Sequence, residues 1–268
     1  MREKEILSRE NPSVKRYVAL AASRGERRKQ GLFVTEGIKL TQEALEAGYV
    51  PVELLVTRES WEKAAKRLSR YLGRVEYLCW ISPSVEKKLA DAIAPQGVFG
   101  VFRQLDKGAQ PVKISNNGRY LLLDALQDPG NLGTILRTAA AFGLDGIFLS
   151  DNCPDPFGPK VLRASMGGVF KLPIEPVAEM GALVEQLRAA GVETYAAALR
   201  SEALPPQRLP RKGGCAVLIG NEGNGLPEAL IRLCTHTVMI PMEPGNESLN
   251  AAMATGILLW ELYRDRRD

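Results

Sequence analysis

Apolar runs and amphipathic segments alternate along the second half of the chain, from residue 120 onwards. The runs are short and almost continuously apolar, as buried parallel strands are, and the segments between them repeat with a helical period. The pattern predicts strands at 120–124, 147–149, 169–174, 194–198, 216–219 and 237–240, and helices at 132–142, 159–166, 179–190, 226–233 and 249–264. This alternation favours an α/β fold with a mostly parallel sheet, and ligands of such sheets bind at the carboxyl ends of the strands.

The first hundred residues carry a smaller α/β pattern. It predicts a helix from Asn11-Pro12 onwards, further helices at 37–47, 59–71 and 85–92, and strands at 52–57, 75–80 and 98–102. The polar stretch 104–118 contains Gly, Pro and Asn-Asn-Gly without periodicity, which indicates a linker. We therefore expect one domain at 1–105, a linker at 106–118 and a second domain at 119–268.

Charge is unevenly distributed between the two halves. The chain carries a net charge of +4, and residues 1–110 hold 20 Lys and Arg against 14 Asp and Glu. The excess is densest in residues 1–30, with 9 basic and 4 acidic side chains. A basic N-terminal surface beside a near-neutral second half fits a module that binds a polyanion, and Arg27, Arg28 and Lys29 are candidate contacts. The alternative for these residues is a solvated helix face or loop.

Composition argues against membrane, secreted and metal-binding proteins. No apolar run approaches the roughly 18 residues that span a bilayer, and the first residues lack the apolar segment of a secretory signal. Cys79, Cys153, Cys215 and Cys234 lie far apart without Cys-x-x-Cys spacing, which favours buried thiols in a reducing cytosol. The single histidine, His236, lies beside an apolar run and lacks partners for a triad or a metal site. We expect a cytoplasmic protein without a bound metal.

The first candidate loop follows the strand at 120–124. The turn Asp128-Pro-Gly-Asn131 leads into a helix, and the Asn131 side chain is well placed to cap that helix. Arg137 lies six positions further on, which is about 240° of rotation within one helix. The two side chains can therefore converge only if Asn131 belongs to the loop. The alternative is a helix cap followed by an exposed arginine.

The second candidate loop follows the strand at 216–219 and contains Gly220, Gly223 and Gly225. Three glycines allow the backbone to approach a ligand closely. Their spacing differs from the dinucleotide fingerprint and from the phosphate-binding loop, so a site for either ligand is disfavoured. Glu222 is the candidate polar side chain of this loop. A plain turn is the alternative.

The third candidate loop, 240–250, follows the strand at 237–240 and opens the last helix. Ser248 is a candidate cap for this helix. The helix places an apolar stripe on one side, which fits the core or a partner chain; the stripe consists of Leu249, Met253, Gly256, Ile257 and Trp260. Three polar loops at the strand ends of one sheet together indicate a binding site.

Taken together, these loops resemble the motifs of the SpoU (TrmH) family of RNA 2′-O-ribose methyltransferases, of the SPOUT class. The matching segments are 131–137, 160–167, 219–226, 240–242 and 246–254. The N-terminal part resembles the substrate-binding domain of many members, which is related to a ribosomal-protein fold, through Phe33-Val-Thr-Glu36-Gly37 and the following Glu43-Ala-Leu. The resemblance spans essentially the whole C-terminal half and, less specifically, part of the N-terminal half.

The resemblance implies a trefoil knot in the C-terminal sheet, a homodimer, and S-adenosylmethionine as the methyl donor. The donor would lie in a bent form with its adenine in an apolar slot. The residues implied in its binding are Ala198, Gly220, Asn221, Ile240 and Leu249. Backbone recognition of this kind explains why small and aliphatic residues mark the pocket.

The resemblance also implies the residues that act on the RNA. Arg137 would be the principal one, either as the acceptor of the ribose proton or as an electrostatic clamp on the neighbouring phosphate. An arginine is normally protonated, so a role as base requires an altered environment. Asn131 would orient that arginine or the substrate. Glu222, Ser248 and Asn250 would hold the hydrogen-bond network of the site.

The N-terminal domain type favours ribosomal RNA over transfer RNA as substrate. Alternatives are a transfer RNA 2′-O-methyltransferase and a non-catalytic RNA-binding protein, although the filled motifs argue against the second. An oxidoreductase with a nucleotide cofactor would need a glycine fingerprint after the first strand. The first loop of the C-terminal half has only Gly130 and Gly133, without the third glycine of that fingerprint.

Overall fold

The computed structural model describes residues 1–104, 112–210, 212–243, 245 and 248–264. These residues form two compact units. The first unit contains residues 1–104 and 155–170, and the second contains the described residues of 112–154 and 171–264. The expected linker, 106–118, lies partly outside the described residues, and its described part, 112–118, contains neither helix nor strand.

The first unit is built on a five-stranded mixed sheet. The strands are β1 (Arg2–Ile6), β2 (Leu32–Glu36), β3 (Pro51–Val56), β4 (Tyr77–Ile81) and β5 (Val98–Arg103), in the spatial order β1-β4-β3-β5-β2. β1, β4 and β3 run parallel, and β5 runs antiparallel to β3 and β2. The first helices are α1 (Pro12–Ala22), α2 (Arg24–Gln30), α3 (Ile38–Glu46), α4 (Arg58–Leu68) and α5 (Pro83–Leu89).

Local signals explain where the helices of the first unit begin and end. The Asn11 side chain accepts a hydrogen bond from the Ser13 amide, and Pro12 occupies the first turn of α1, as the sequence predicts. α2 begins at the Ser23 cap and ends at Gly31, whose φ of 62° suits glycine. Sequence patterns missed α2, β1 and β2. The first two are charged along most of their length, which hides the periodicity of apolar positions.

The second unit is built on a six-stranded sheet in which every recorded pairing is parallel. Its strands are β6 (Arg119–Leu123), β7 (Gly146–Ser150), β8 (Ile174–Val177), β9 (Glu193–Ala197), β10 (Cys215–Ile219) and β11 (His236–Val238), in the order β11-β9-β10-β6-β7-β8. The remaining helices are α6 (Pro129–Phe142), α7 (Pro159–Ser165), which belongs to the first unit, α8 (Met180–Ala189), α9 (Glu228–Leu233) and α10 (Ala251–Tyr263). The predicted α/β fold with a parallel sheet is confirmed.

One predicted strand, 169–174, is misplaced. Residues Gly168–Phe170 form a turn of 3-10 helix, and the strand lies at Ile174–Val177. Gly167, with a φ of +77°, directs the chain into that turn. The Phe170 ring packs 5.8 Å from Phe33, so the apolar residues at the start of this run belong to the core of the first unit.

The strand order places two candidate loops side by side. β6 and β10 are parallel neighbours, with Leu123 paired to Ile219 at their carboxyl ends. The loops that follow these strands therefore leave the same edge of the sheet. β11 lies beyond β9 at that edge, so the third loop also emerges nearby. The sheet thus brings together segments that lie about a hundred residues apart in the chain.

Candidate functional site

The loop after β10 is a closed turn stabilised by its own hydrogen bonds. The amides of Asn221 and Gly225 each donate to the other residue's carbonyl, at 3.0 and 2.9 Å. The Asn221 side-chain oxygen accepts from the Gly223 and Asn224 amides, both at 2.9 Å. A Cβ at Gly220 would lie 2.5 Å from the Gly225 carbonyl, which is a steric clash. Glycine is therefore required at position 220.

The loop after β6 is fixed by a residue in the left-handed region. Ala125 has a φ of 52°, which is unfavourable for a residue with a Cβ. Its amide donates to the Ser150 hydroxyl at 2.8 Å, and its carbonyl accepts from the Asn221 side-chain amide at 2.8 Å. These contacts tie the first loop to the second. Both ends of the Asn221 side chain are thus occupied within the protein.

The Glu222 carboxylate receives three hydrogen bonds from the first loop. The donors are the Gln127 amide at 2.9 Å, the Asp128 amide at 3.1 Å and the Asn131 side-chain amide at 3.0 Å. Partial burial raises the pKa of Glu222, but these hydrogen bonds outweigh it, and the net pKa lies below 4.5. Glu222 is therefore ionised at neutral pH, where it accepts hydrogen bonds.

Asn131 extends this network to the third loop. Its side-chain oxygen accepts from the Asn250 side-chain amide at 2.9 Å. The Asn250 oxygen in turn caps α10, accepting from the Ala252 and Met253 amides at 2.9 and 3.2 Å. We call the sequence of side chains Glu222–Asn131–Asn250 the polar chain. It connects the three loops singled out in the sequence.

Two predicted helix caps are wrong. Asp128, rather than Asn131, caps α6, because its carboxylate accepts from the Asn131 amide at 2.7 Å. Asn250, rather than Ser248, caps α10. For α6, the pair Asp128-Pro129 was the signal in the sequence, because a cap residue followed by proline at the first helical position is a favoured helix start.

Arg137 does not lie with the polar chain. Asn131 is inside α6, so the condition for the two side chains to converge is not met. Six residues separate them by about 240° of rotation and about 9 Å of rise. The Arg137 side chain is exposed, and within the described residues it has no hydrogen bond or ion pair. Within one chain, Arg137 therefore matches the alternative given by the sequence, which is a helix cap followed by an exposed arginine.

A cavity of about 480 Å³ opens beside the polar chain at the carboxyl edge of the sheet. All five residues proposed for donor binding line it, and so do Glu222 and Ser248; the five are Ala198, Gly220, Asn221, Ile240 and Leu249. Asn131, Arg137 and Asn250 are not among its lining residues. The loops at the carboxyl ends of the strands therefore do surround a concave site.

Arg200 also lines this cavity, and sequence reasoning missed it. Its guanidinium pairs with the Glu228 carboxylate at the start of α9. Arg200 lies three residues after the end of β9, so the same strand-end argument could have found it. The pairing places a fixed charge at the cavity wall.

The three basic residues proposed to contact RNA have different environments. Arg27 is only 5% exposed, and its guanidinium binds the Asp155 carboxylate at 2.6 Å and the Leu20 carbonyl at 2.6 Å. Its assignment as an RNA contact is therefore corrected, because the side chain is a buried structural ion pair within the first unit. Arg28 and Lys29 are exposed, as an RNA contact requires.

The remaining candidate groups do not form a metal or membrane site within the described part of the chain. That part contains no cluster of His, Cys, Asp and Glu suited to a metal ion. The four cysteines are buried free thiols, and His236 packs against the Tyr195 ring at 5.1 Å. Across the described helices, none combines the length and apolar character needed to cross a bilayer.

Comparison with known proteins matches both halves of the chain to domain families. Residues 118–260 match the model of the SpoU rRNA Methylase family, and residues 11–100 match that of the MRM3-like substrate binding domain. The 23S rRNA (guanosine(2553)-2′-O)-methyltransferase RlmP of Bacillus subtilis is 34% identical over 259 residues, which cover 97% of this chain and 99% of that protein.

Two solved structures share the fold over nearly the full chain. The AdoMet-bound rRNA methyltransferase from Sinorhizobium meliloti superposes with a TM-score of 0.86 at 34% identity, covering 98% of each chain. The SpoU methyltransferase AviRb from Streptomyces viridochromogenes, in complex with AdoMet, has a TM-score of 0.86 at 29% identity, covering 97% of this chain and 99% of that one. The family match, the fold and the three motif loops agree: the chain belongs to the SpoU rRNA methylase family.

Proposed function

We propose that the protein transfers a methyl group from S-adenosylmethionine to a ribose 2′-hydroxyl of ribosomal RNA. The observation that carries the proposal is the cavity at the strand ends, which is lined by Glu222, the residue that begins the Glu222–Asn131–Asn250 polar chain. The named activity of RlmP and the donor bound in the two solved structures support the same reaction.

The cavity fits the proposed donor in size and chemistry. Its volume of about 480 Å³ falls in the range of small-molecule sites, which are mostly apolar with a few polar groups. Leu226, Val238 and Leu258 would supply apolar wall for the adenine, and the close packing at Gly220 keeps backbone groups at the surface. When bound, the donor supplies a methyl group already activated on a positively charged sulfur.

The polar chain has the task of positioning. Ionised Glu222 holds the backbone of the first loop and the Asn131 side chain, and Asn250 holds the start of α10. These contacts fix the cavity edge before substrate arrives, which limits the entropic cost of aligning two reactants. Ser248 lines the same edge and would offer a hydroxyl to the substrate or donor.

We propose that Arg137 acts in a homodimer, at a site it shares with a second copy. α10 presents an exposed apolar stripe that fits such an interface, since Met253, Ile257 and Trp260 are 64%, 39% and 50% exposed. The Trp260 ring also packs 6.0 Å from Phe142 of α6, the helix that carries Arg137. There the guanidinium would clamp the phosphate next to the target ribose or accept its proton. The trefoil knot is part of the same proposal.

The first unit would bind the RNA, with Arg28 and Lys29 as candidate contacts to phosphates. Its family match to a substrate-binding domain and its basic excess support this assignment. Binding would weaken as salt increases, because each neutralised phosphate releases counterions.

The test is to incubate the protein with methyl-labelled S-adenosylmethionine and ribosomal RNA from a strain that lacks the cognate enzyme. We expect label in one 2′-O-methyl nucleoside after digestion. Label on a base, or label only in added transfer RNA, would contradict the proposal.

A further inference from the structure

The first unit contains a cavity of its own, of about 300 Å³. It lies among α1, α3, α7 and the loop between α5 and β5, all within that unit. Aliphatic side chains form most of its wall; they include Ala21, Val34, Leu40, Leu89 and Leu162. None of the residues proposed for catalysis or donor binding lines it. A cavity of this size and apolarity can enclose a planar group the size of a nucleobase.

Hydrogen-bonding groups border the cavity on the side of the α5–β5 loop. The Glu36 carboxylate accepts from the Asp91 and Ala92 amides at 3.2 and 3.1 Å, which fixes the loop at the cavity edge. The Gln96 oxygen accepts from the Ile38 amide at 2.9 Å. Carboxylate oxygens have more than two acceptor positions, and the Gln96 amide nitrogen remains a donor. These groups suit the polar edge of a nucleobase.

The cavity edge also carries positive charge and an exposed apolar side chain. Lys39 lines the cavity, is exposed, and has no ion pair within the described residues. Arg163 also lines the cavity and pairs with Asp91. Ile93, in the loop that borders the cavity, is fully exposed. An aliphatic side chain at such an edge can pack against a second base, and a free lysine can contact the connecting phosphate.

We propose that this cavity binds an unstacked nucleobase of the RNA substrate, with Lys39 on the adjoining phosphate and Ile93 against the neighbouring base. The inference rests on the proposed function, since it assumes an RNA substrate. Sequence-specific recognition of RNA uses splayed bases that are inserted in apolar sites and hydrogen-bonded along their edges. The cavity would therefore contribute to the choice of RNA, at a position separate from the methylated ribose.

The test compares two tryptophan variants of the full-length protein. Ala94→Trp fills the mouth of the cavity from an exposed loop position, where a large side chain can be accommodated without disturbing the core. Ala22→Trp is the matched control, because Ala22 is exposed on the same unit and does not line the cavity. Lys39→Ala, with Lys66→Ala as its control on α4, tests the phosphate contact. Affinity and KM for unmodified ribosomal RNA are measured, together with calorimetric binding of S-adenosylmethionine.

We expect Ala94→Trp to raise KM and Kd for RNA about tenfold, in line with the loss of one stacked base, while donor binding and kcat stay unchanged. Zero-length photocrosslinking of 4-thiouridine- or 6-thioguanosine-substituted RNA should join an unpaired nucleotide to peptide 89–96 in the wild type. If Ala94→Trp and Ala22→Trp have equal KM values for RNA while the wild type methylates RNA, the inference is overturned and the proposed function stands. Absence of methyl transfer by the wild type would instead contradict the proposed function. Tight binding of a free nucleotide with unchanged KM for RNA would also overturn the inference.

Discussion

The side-chain amide of Asn131 donates to the Glu222 carboxylate at 3.0 Å, across a separation of 91 residues in the chain. Asn131 lies in the first turn of α6, and Glu222 lies in the turn after β10. The contact exists because β6 and β10 are neighbours with matched carboxyl ends. It joins the loops after the two strands at the edge of the cavity that we propose for the methyl donor.

Replacing Glu222 by glutamine should disrupt the contacts between these two loops. A glutamine side chain offers one acceptor oxygen where the carboxylate accepts three hydrogen bonds. We expect a loss of stability of about 1–3 kcal/mol, the usual cost of leaving donors without their charged acceptor, and a fall in methyl transfer. Thermal unfolding and initial-rate assays measure both. Glu185→Gln, at an exposed position on α8, is the control, and equal effects of the two variants would contradict this role.

Replacing Gly220 by alanine should distort the cavity floor. The new Cβ would lie 2.5 Å from the Gly225 carbonyl, and moving that backbone costs about 1–3 kcal/mol. We expect at least about tenfold weaker binding of S-adenosylmethionine in calorimetry. Gly223→Ala is a matched control, since its Cβ would come no closer than 3.6 Å to the Asn221 oxygen. Comparable donor affinity in the two variants would rule out this packing argument.

Replacing Arg137 should separate methyl transfer from donor binding. The Arg137 side chain is exposed and has no hydrogen bond or ion pair within the described residues, so Arg137→Ala should fold normally. We expect methyl transfer to fall about a hundredfold or more, as when a positioned charge-stabilising group is removed, with unchanged affinity for the donor. Arg137→Lys keeps the charge without the planar fork, and partial rescue would identify a phosphate clamp. A near-normal rate for Arg137→Ala would show that the assigned role is wrong.

Arg27→Ala should destabilise the first unit, whereas Arg28→Ala should not. The first change removes the buried Arg27 guanidinium and leaves the Asp155 carboxylate, whose side chain is 13% exposed, without its charged partner, which costs about 3–5 kcal/mol. The second removes an exposed side chain, for which changes within about 0.5 kcal/mol are usual. Urea unfolding gives both values. Arg28→Ala should instead weaken RNA binding, most clearly at low salt.

The stability of the first unit should decrease in acid because of Glu53. Burial raises the pKa of this carboxyl, but Arg16, Ser13 and Lys4 outweigh it at 2.8, 2.9 and 3.1 Å, so the net pKa lies below 4.5. A lowered folded-state pKa contributes stability above pH about 4.5, and that stability is lost as pH falls through the folded-state value. The difference in unfolding free energy between wild type and Glu53→Gln should therefore shrink below pH about 4.5. A constant difference across that range would contradict the assignment.

The sequence was sufficient for the main features of the second unit and insufficient for several contacts. Continuous apolar runs identified β6 and β10, and the turn chemistry after them located Gly220 and Glu222 at one sheet edge. Periodicity could not show that Arg27 is buried, because the Asp155 that neutralises it lies 128 residues away. Helix caps were misassigned where several polar residues precede a helix and each could serve. For Arg137 we propose a role shared with a second subunit, which the pattern of one chain does not describe.

The most direct test of the donor site is hydrogen exchange with and without S-adenosylmethionine. We expect added protection of amides in 197–200, 219–226, 238–242 and 248–258, which contain the cavity wall. The cavity of the first unit, including 36–43, should remain unchanged until RNA is added. No added protection at saturating donor, or protection confined to the first unit, would contradict the claim that this cavity holds the methyl donor.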